Sequence, residues 1–284
     1  MNQFTMSRSV MDCYYTGGLL GEGGFGRVYD GARIEDGTRV AIKYVSKKKV
    51  TEWTTMSGTE VPMELMLLNK VQTVEGIIKL LDFFEEENRF IYVMEKPNSK
   101  DLYKLIKDTK ALDEYNARNF FKQIVDTVVA CHRMGVFHRD IKSENILVDM
   151  NTNKLRLIDF GCGAEIWSDT DTFSSFDGTL FYAPPEQVNT HTYQAGPATV
   201  WTLGLILYEM VCSKLPFNFK KINFKKDRKE QILSLPSRLV FNRRLSSEVR
   251  DLITRCLNPE AEDRIDLSDI LEHPWIIQPI FYNF

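Results

Sequence analysis

An α+β chain divided into two lobes is the fold the sequence predicts, and three observations carry it. Short β-rich runs fill the first ninety-odd residues, helical periodicity takes over beyond Asn98, and the charged, proline-containing stretch 95–99 lies between them. A change of hydrophobic period from 2 to 3.6 at a break in the pattern marks a strand-rich part followed by a helix-rich part, rather than one alternating βα sheet. With 284 residues, the chain is long enough for two lobes, each with its own core.

The strands come first. YYTGGLLGEG (14–23), GRVYDGARI (26–34), RVAIKYV (39–45), GIIKLLDFF (76–84) and RFIYVME (89–95) are the β-rich runs, and Glu35-Asp36-Gly37 is a hairpin turn signal. Pro97 has no backbone N–H and cannot extend a ladder, so the last of these strands ends near it. One main helix interrupts the strands: Pro62 suits a first turn, and Leu65, Leu68 and Val71 recur at helical spacing. In the second part, Asp113 is placed to cap a helix carrying Ala117, Phe120, Phe121, Ile124, Val128 and Val129 on one face, with Gly135 at its end. An apolar helix is expected from about Ala198 to Cys212, and SSEVRDLITRCL (246–257) and LSDILEHPW (267–275) also read as helical.

Bulk composition removes several classes. With 43% hydrophobic and 26% charged residues the chain reads as soluble and globular, and a net charge of −3 gives no general reason to expect nucleic-acid binding. No run approaches the ~18–20 apolar residues of a membrane span. The opening MNQFTMSRSVMDCYY lacks the apolar core of a secretion signal. Five cysteines, odd in number and without a CxxC pair, suit reduced thiols better than a disulfide framework or a zinc site. The expected protein is a cytoplasmic monomer, with the nucleus also open to it, and without a membrane or nucleic-acid partner.

The chemistry begins at Gly21-Glu22-Gly23-Gly24-Phe25-Gly26-Arg27-Val28, where glycines allow backbone N–H groups to approach phosphate oxygens. Alone this pattern is weak. A dinucleotide-binding fingerprint needs a helix directly after it, and the strand-like RVYDGARI follows instead. Lys43 ends the apolar run Val40-Ala41-Ile42, seventeen residues after Gly26, where it can reach phosphate oxygens under the loop. Such a lysine needs an anionic partner; Glu64 on the predicted helix is the candidate, and Glu60, ahead of Pro62, the competitor.

The stretch His138-Arg139-Asp140-Ile141-Lys142-Ser143-Glu144-Asn145 is followed, fourteen residues after Asn145, by Asp159-Phe160-Gly161. Phosphoryl transfer asks mainly for positioning and charge neutralisation. Asp140 can accept the proton of an attacking hydroxyl and Lys142 can steady the phosphoryl group, while Asn145 and Asp159 offer the hard oxygen ligands that suit Mg²⁺. Any one of these acids could be a surface carboxylate. The ordered set of glycine loop, VAIK, HRDxKxxN and DFG matches the protein-kinase signature, with Ile141 in place of its leucine.

Over residues 14–276 the sequence resembles a eukaryotic protein kinase. HRDIKSEN (138–145) and GTLFYAPPE (178–186) resemble the serine/threonine branch, with Lys142 and Thr179 typical of it. The resemblance is most specific to the PIM kinase family: LLGEGGFGRVYDG, VPMELMLLNKV, HRDIKSENIL, LIDFGCGA, FDGTLFYAPPE and VWTLGLILYEMVC carry it. Thr199 stands two residues before Trp201 where most kinases have an aspartate, a departure PIM kinases share. The resemblance implies a bilobal kinase fold, with an antiparallel β-sheet N-lobe (14–94) containing one main helix, a hinge (95–99) and a mainly α-helical C-lobe (100–276). Residues 1–13 and 277–284 would then be an extension and a tail. It implies ATP and Mg²⁺ as cofactors and protein substrates bearing Ser or Thr. Nucleotide contacts fall on Leu20, Gly21, Glu22, Gly23, Gly24, Phe25, Gly26, Val28, Ala41, Lys43, Leu147 and Asp159, with Met94 as gatekeeper and Glu95 as a hinge acceptor. Because Pro97 lacks an N–H, adenine loses a hinge donor that most kinases offer. The implied catalytic set is Lys43, Glu64, Asp140, Lys142 and Thr179, with Asn145 and Asp159 on metal. Glu186 and Arg264 resemble the family's buried pair.

PIM-like kinases are active without phosphate on the activation segment (159–186). The same is expected here, with Asp177 as an anionic partner for Arg139. They also prefer basic peptides read by acidic side chains. Asp101 and Glu144 remain in place as substrate-binding acids, but Lys104, Ser143 and Lys214 stand where further acids are expected, and FKKINFKKDRK (219–229) is strongly basic. A reduced preference for multiply basic peptides follows. The alternative from another class, a pseudokinase acting as a scaffold, is disfavoured because Lys43, Asp140 and Asp159 are all present. A small-molecule kinase is disfavoured by the complete GTLFYAPPE platform.

Overall fold

Alternating apolar residues in Arg39–Ser46 and Arg89–Glu95 build the centre of a five-stranded antiparallel sheet. In the computed structural model, which describes residues 9–24, 26–217 and 239–277, its strands are β1 (Tyr14–Gly23), β2 (Gly26–Arg33), β3 (Arg39–Ser46), β6 (Leu80–Glu85) and β7 (Arg89–Glu95), in the order β1-β2-β3-β7-β6. The sheet has two differently employed faces. Val40, Ile42, Ile91 and Val93 pack with Tyr14 and with Val10 of the short helix α1 (Val10–Cys13). On the opposite face Val45, Phe90 and Tyr92 pack against Leu65 of α2 (Met63–Lys70). Pro62 caps α2 at its N-terminus, one position ahead of the expected first turn. Two features of this region were not expected from the sequence: α1, and the hairpin of β4 (Trp53–Met56) with β5 (Thr59–Pro62) that leads into α2.

The chain divides into two compact units. One comprises Met1–Thr73 and Ile78–Ser99, the other Val74–Ile77 and Lys100–Phe284. The GIIKLLDFF run is therefore split: only Leu80–Glu85 is strand, while Val74–Ile77 packs with the second unit. There Leu157 donates its N–H to the Gly76 carbonyl at 2.7 Å, and the Thr127 hydroxyl donates to the Glu75 carbonyl. As expected, β7 stops at Glu95, two residues before Pro97.

In the second unit, β8 (Ser99–Asp101) leads into α3 (Leu102–Thr109), capped by the Asp101 carboxylate. Asp113 caps α4 (Glu114–Arg133) by accepting from the Asn116 N–H, and Gly135 follows in the left-handed region at φ 70°, as the spacing predicts. β9 (Val136–Phe137) and the β10 (Ile146–Asp149)/β11 (Leu155–Leu157) hairpin bracket the HRDIKSEN stretch. β9 pairs with β12 (Ala164–Glu165), and β13 (Thr172–Phe173) pairs with β14 (Tyr193–Gln194), after the short helix α5 (Pro185–Thr190). α6 (Ala195–Cys212) is the unit's central helix; it corrects the expectation that no run approaches a membrane span, being long and apolar enough to match one, but most of it is buried core. α7 (Ser247–Cys256) packs on it so closely that a Cβ at Gly204 would come within 2.6 Å of the Cys256 side chain. LSDILEHPW is a correction: it forms only a 3₁₀ turn (Asp269–Glu272) and the four-residue α8 (Pro274–Ile277), because Pro274 drives His273 into extended backbone. All five cysteines are free thiols.

Candidate active site

On the first unit, pairing register gathers the predicted nucleotide-contacting residues. Ala41 lies opposite Met94, and Lys43 opposite Tyr92 on one side and Val28 on the other. Period-2 alternation puts Ala41, Lys43 and Val45 on the sheet face that carries α2. From the first turn of α2, Glu64 meets Lys43 at 2.5 Å, with side chains only 8% (Lys43) and 10% (Glu64) exposed. Glu60 is exposed on β5, so the geometry selects Glu64. In the glycine loop Gly21 faces Val28, Glu22 faces Arg27, and Gly23 faces Gly26 across the hairpin. A Cβ at Gly26 would come within 2.2 Å of the Tyr44 carbonyl oxygen, so strand packing demands this glycine. At Gly21, Gly23 and Gly24 a Cβ would meet nothing, which leaves open backbone there. Leu20 is exposed at the same edge, and Phe25 lies outside the described residues. Beyond β7, Lys96 pairs with Asp30 at 2.9 Å, and the Glu95 carboxylate accepts from the Lys79 N–H.

On the second unit, Asp140 is the hub. Its carboxylate, 6% exposed, accepts from the Thr179 N–H at 2.8 Å, the Lys142 ammonium at 2.7 Å and the Asn145 amide at 3.0 Å. Lys142 also donates to the Thr179 hydroxyl at 2.7 Å, and Asn145 to the Asp140 carbonyl at 2.8 Å. Four predicted residues thus share one hydrogen-bonded cluster. His138 supports it from below: one ring nitrogen faces the Ile158 carbonyl and the other accepts from the Asp140 N–H, the pattern of a neutral imidazole. Complete burial lowers the His138 pKa and holds it in that neutral form. Phe160 stands edge-on to the ring at 4.7 Å, and Asp159 is held in the left-handed region at φ 66°. Leu147 is half-buried on β10.

The activation segment is tied to this cluster by Arg139. Its guanidinium, 2% exposed, meets Asp177 at 2.7 Å, donates to the Ser175 carbonyl and hydroxyl, and reaches the Tyr193 hydroxyl at 3.2 Å. Phe173 lies under it at 5.2 Å. Phe173 and Tyr193 carried no signal in the sequence, because their role exists only once β13 and β14 pair. Further along, Arg264 grips Glu186 with two bonds of 2.8 and 2.7 Å and donates also to the Pro197 and Asn258 carbonyls.

The predicted substrate acids are less uniform. Asp101 accepts from the Lys104 N–H and pairs with the Lys104 ammonium at 2.9 Å, a contact that raises the Lys104 pKa. Glu144 is exposed beside Ser143. Missed in the sequence was Glu209, a single charge in the apolar α6. It is buried, accepts from the Ser143 hydroxyl at 2.7 Å and the Tyr182 phenol at 3.3 Å, and burial raises its pKa. Lys214 is exposed, and the basic run 219–229 lies outside the described residues.

Residues 14–276 match the protein kinase domain. The chain is 42% identical over 276 residues to serine/threonine-protein kinase pim-2 of Danio rerio, covering 93% of this chain and 85% of that protein. It is 39% identical to serine/threonine-protein kinase prk-2 of Caenorhabditis elegans, covering 91% of this chain and 57% of the relative. With CBL-interacting protein kinase 10 of Oryza sativa subsp. japonica it shares 33% identity, with 94% and 57% covered. The chain therefore spans little more than half the length of the latter two. It belongs to the protein kinase family. Within that family it is a PIM-like serine/threonine kinase, as its motifs predict.

Proposed function

We propose that this protein transfers the γ-phosphate of ATP to serine or threonine hydroxyls of protein substrates, in the cytoplasm and with Mg²⁺, and that its activation segment needs no phosphate. The observation that carries the reading is the buried Asp140 carboxylate, bonded at once to Lys142, Asn145 and Thr179. Asp140 is oriented by these donors to accept the hydroxyl proton of the peptide. Lys142 already spans Asp140 and Thr179, so its charge stands beside the position of the attacking hydroxyl. Lys43, fixed by Glu64, is the cation for the α- and β-phosphates, while Gly21, Gly23 and Gly24 present open backbone to them. The lobes take the boundaries 14–94 and 100–276, with 95–99 as hinge, except that Val74–Ile77 packs with the second unit.

The donor set fits magnesium. Asn145 commits its amide nitrogen to Asp140, which reserves its oxygen for a ligand, and Asp159 adds a carboxylate. Two protein oxygens are what Mg²⁺ takes when phosphates and water complete its shell; bound there, it neutralises phosphate charge. Phosphate-independent activity is supported by the Arg139–Asp177 pair, which supplies the anion internally. A reduced preference for multiply basic peptides is supported by Lys104, which occupies Asp101 in cis.

The test is radiolabelled-ATP transfer to a degenerate Ser/Thr peptide library, using phosphatase-treated protein and Asp159→Asn as control. The expected result is transfer by the treated protein, weak arginine selection, and none by the variant. Asparagine tolerates the left-handed backbone of position 159, so a loss reports chemistry rather than unfolding. Loss of all activity on phosphatase treatment, or an arginine-dominated profile, would sink the corresponding part of the proposal. Retained turnover in the variant would contradict the metal assignment.

A further inference from the structure

A second tie, apart from the one at Arg139, holds the activation segment. His132 lies in the last turn of α4 with its side chain 5% exposed. Its Nδ1 is 2.5 Å from the Asp169 carboxylate, and its Nε2 is 3.2 Å from the Thr199 hydroxyl in the first turns of α6. The Thr199 hydroxyl also reaches the Ala195 carbonyl at 2.7 Å. The hydrogen bond with His132 lowers the Asp169 pKa, which keeps the carboxylate an acceptor, so Nδ1 is the donor. His132 is thus held between a helix and the activation segment.

The backbone around Asp169 is built for this contact. The Gly196 N–H donates to the Asp169 carbonyl at 2.8 Å, and the Ala195 N–H to the Asp171 carbonyl at 3.1 Å. A Cβ at position 196 would come within 2.8 Å of the Asp169 Cβ, so only glycine lets the segment lie against the start of α6. From Asp169 the chain runs through β13 to Ser175 and Asp177 on Arg139, and then to Thr179 on Asp140. Two carboxylates, eight residues apart, are each bound to a buried basic side chain.

We propose that Asp169 is a positioning residue: through the buried His132 it fixes the middle of the activation segment, as Asp177 fixes its later part, so that Thr179 stays on Asp140 without phosphate. The inference rests on the kinase reading for its consequence in turnover, but the tie itself is tested independently of it. In ¹⁵N-histidine NMR of the full chain at neutral pH, the His132 Nδ1 will show the shift of a protonated, hydrogen-bonded nitrogen. Asp169→Ala will raise hydrogen exchange across 164–173 roughly fivefold, the effect of losing one charge-assisted hydrogen bond discounted for a half-exposed carboxylate. It will lower kcat/KM for peptide while leaving KM for ATP unchanged. An unprotonated His132 Nδ1 in the wild type, or unaltered exchange in Asp169→Ala, would overturn the proposal. The NMR result needs no variant to fold. If the wild type transfers no phosphate, the kinase reading fails while the NMR and exchange data still judge the tie.

Discussion

Replacing Glu186 with glutamine isolates the energetics of the buried Arg264–Glu186 pair. Arg264 is 1% exposed on its side chain, and Glu186 neutralises it through two short bonds. The Pro197, Asn258 and Pro259 carbonyls satisfy other guanidinium hydrogens but carry no net charge. Trp201 lies beneath it, its ring centroid 5.1 Å away. Removing one partner of a buried ion pair strands the other charge and costs about 3–5 kcal/mol. Glutamine keeps one acceptor oxygen in place, so the lower end, about 3 kcal/mol, is expected. For a unit of this size each kcal/mol moves the melting temperature by about 2–4 °C, which gives a fall of about 6–12 °C. Differential scanning calorimetry of wild type and Glu186→Gln under identical buffer and concentration reads it directly. A shift under about 2 °C would refute the reasoning, because it would mean that water reaches Arg264 despite its burial.

The remaining predictions concern pH and nucleotide. Glu209 has a raised folded-state pKa, so below the usual glutamate range near 4.5 it costs nothing, and stability is lost as pH rises through the folded value. Urea unfolding at pH 4.5, 5.5 and 6.5 will show Glu209→Gln gaining on wild type as pH rises; a parallel pair of curves would contradict this. Pro97→Ala restores a backbone N–H beside β7 and is expected to lower KM for ATP by about two- to tenfold, the worth of one neutral hydrogen bond. An unchanged KM, or an adenine already bonded to a nearby N–H in a nucleotide complex of the wild type, would exclude a hinge-donor deficit.

Much of the site was legible because its chemistry is written in contiguous motifs. HRDIKSEN and DFG supply Asp140, Lys142, Asn145 and Asp159 within twenty residues, and Lys142 and Asn145 bond Asp140 from within five residues of it. Glu64 over Glu60 was also readable, since Pro62 marks where the helix begins. The 3₁₀ form of Asp269–Glu272 was not read, although Pro274 stood in view, because apolar spacing over nine residues fits both a helix and a turn.

What the sequence by itself determined is the family, most of the order of strands and helices, and the motif residues Asp140, Lys142, Asn145 and Asp159. Those depend on residue type and short-range spacing. Only the tertiary structure decided which distant partners answer which acids: Asp177 on Arg139, Asp169 on His132, and Glu209 among the hydroxyls of Ser143 and Tyr182. A carboxylate has no preferred partner at long range. Its partner is set by which buried polar group the packed helices and paired strands bring within about 3 Å, and that distance exists only after folding.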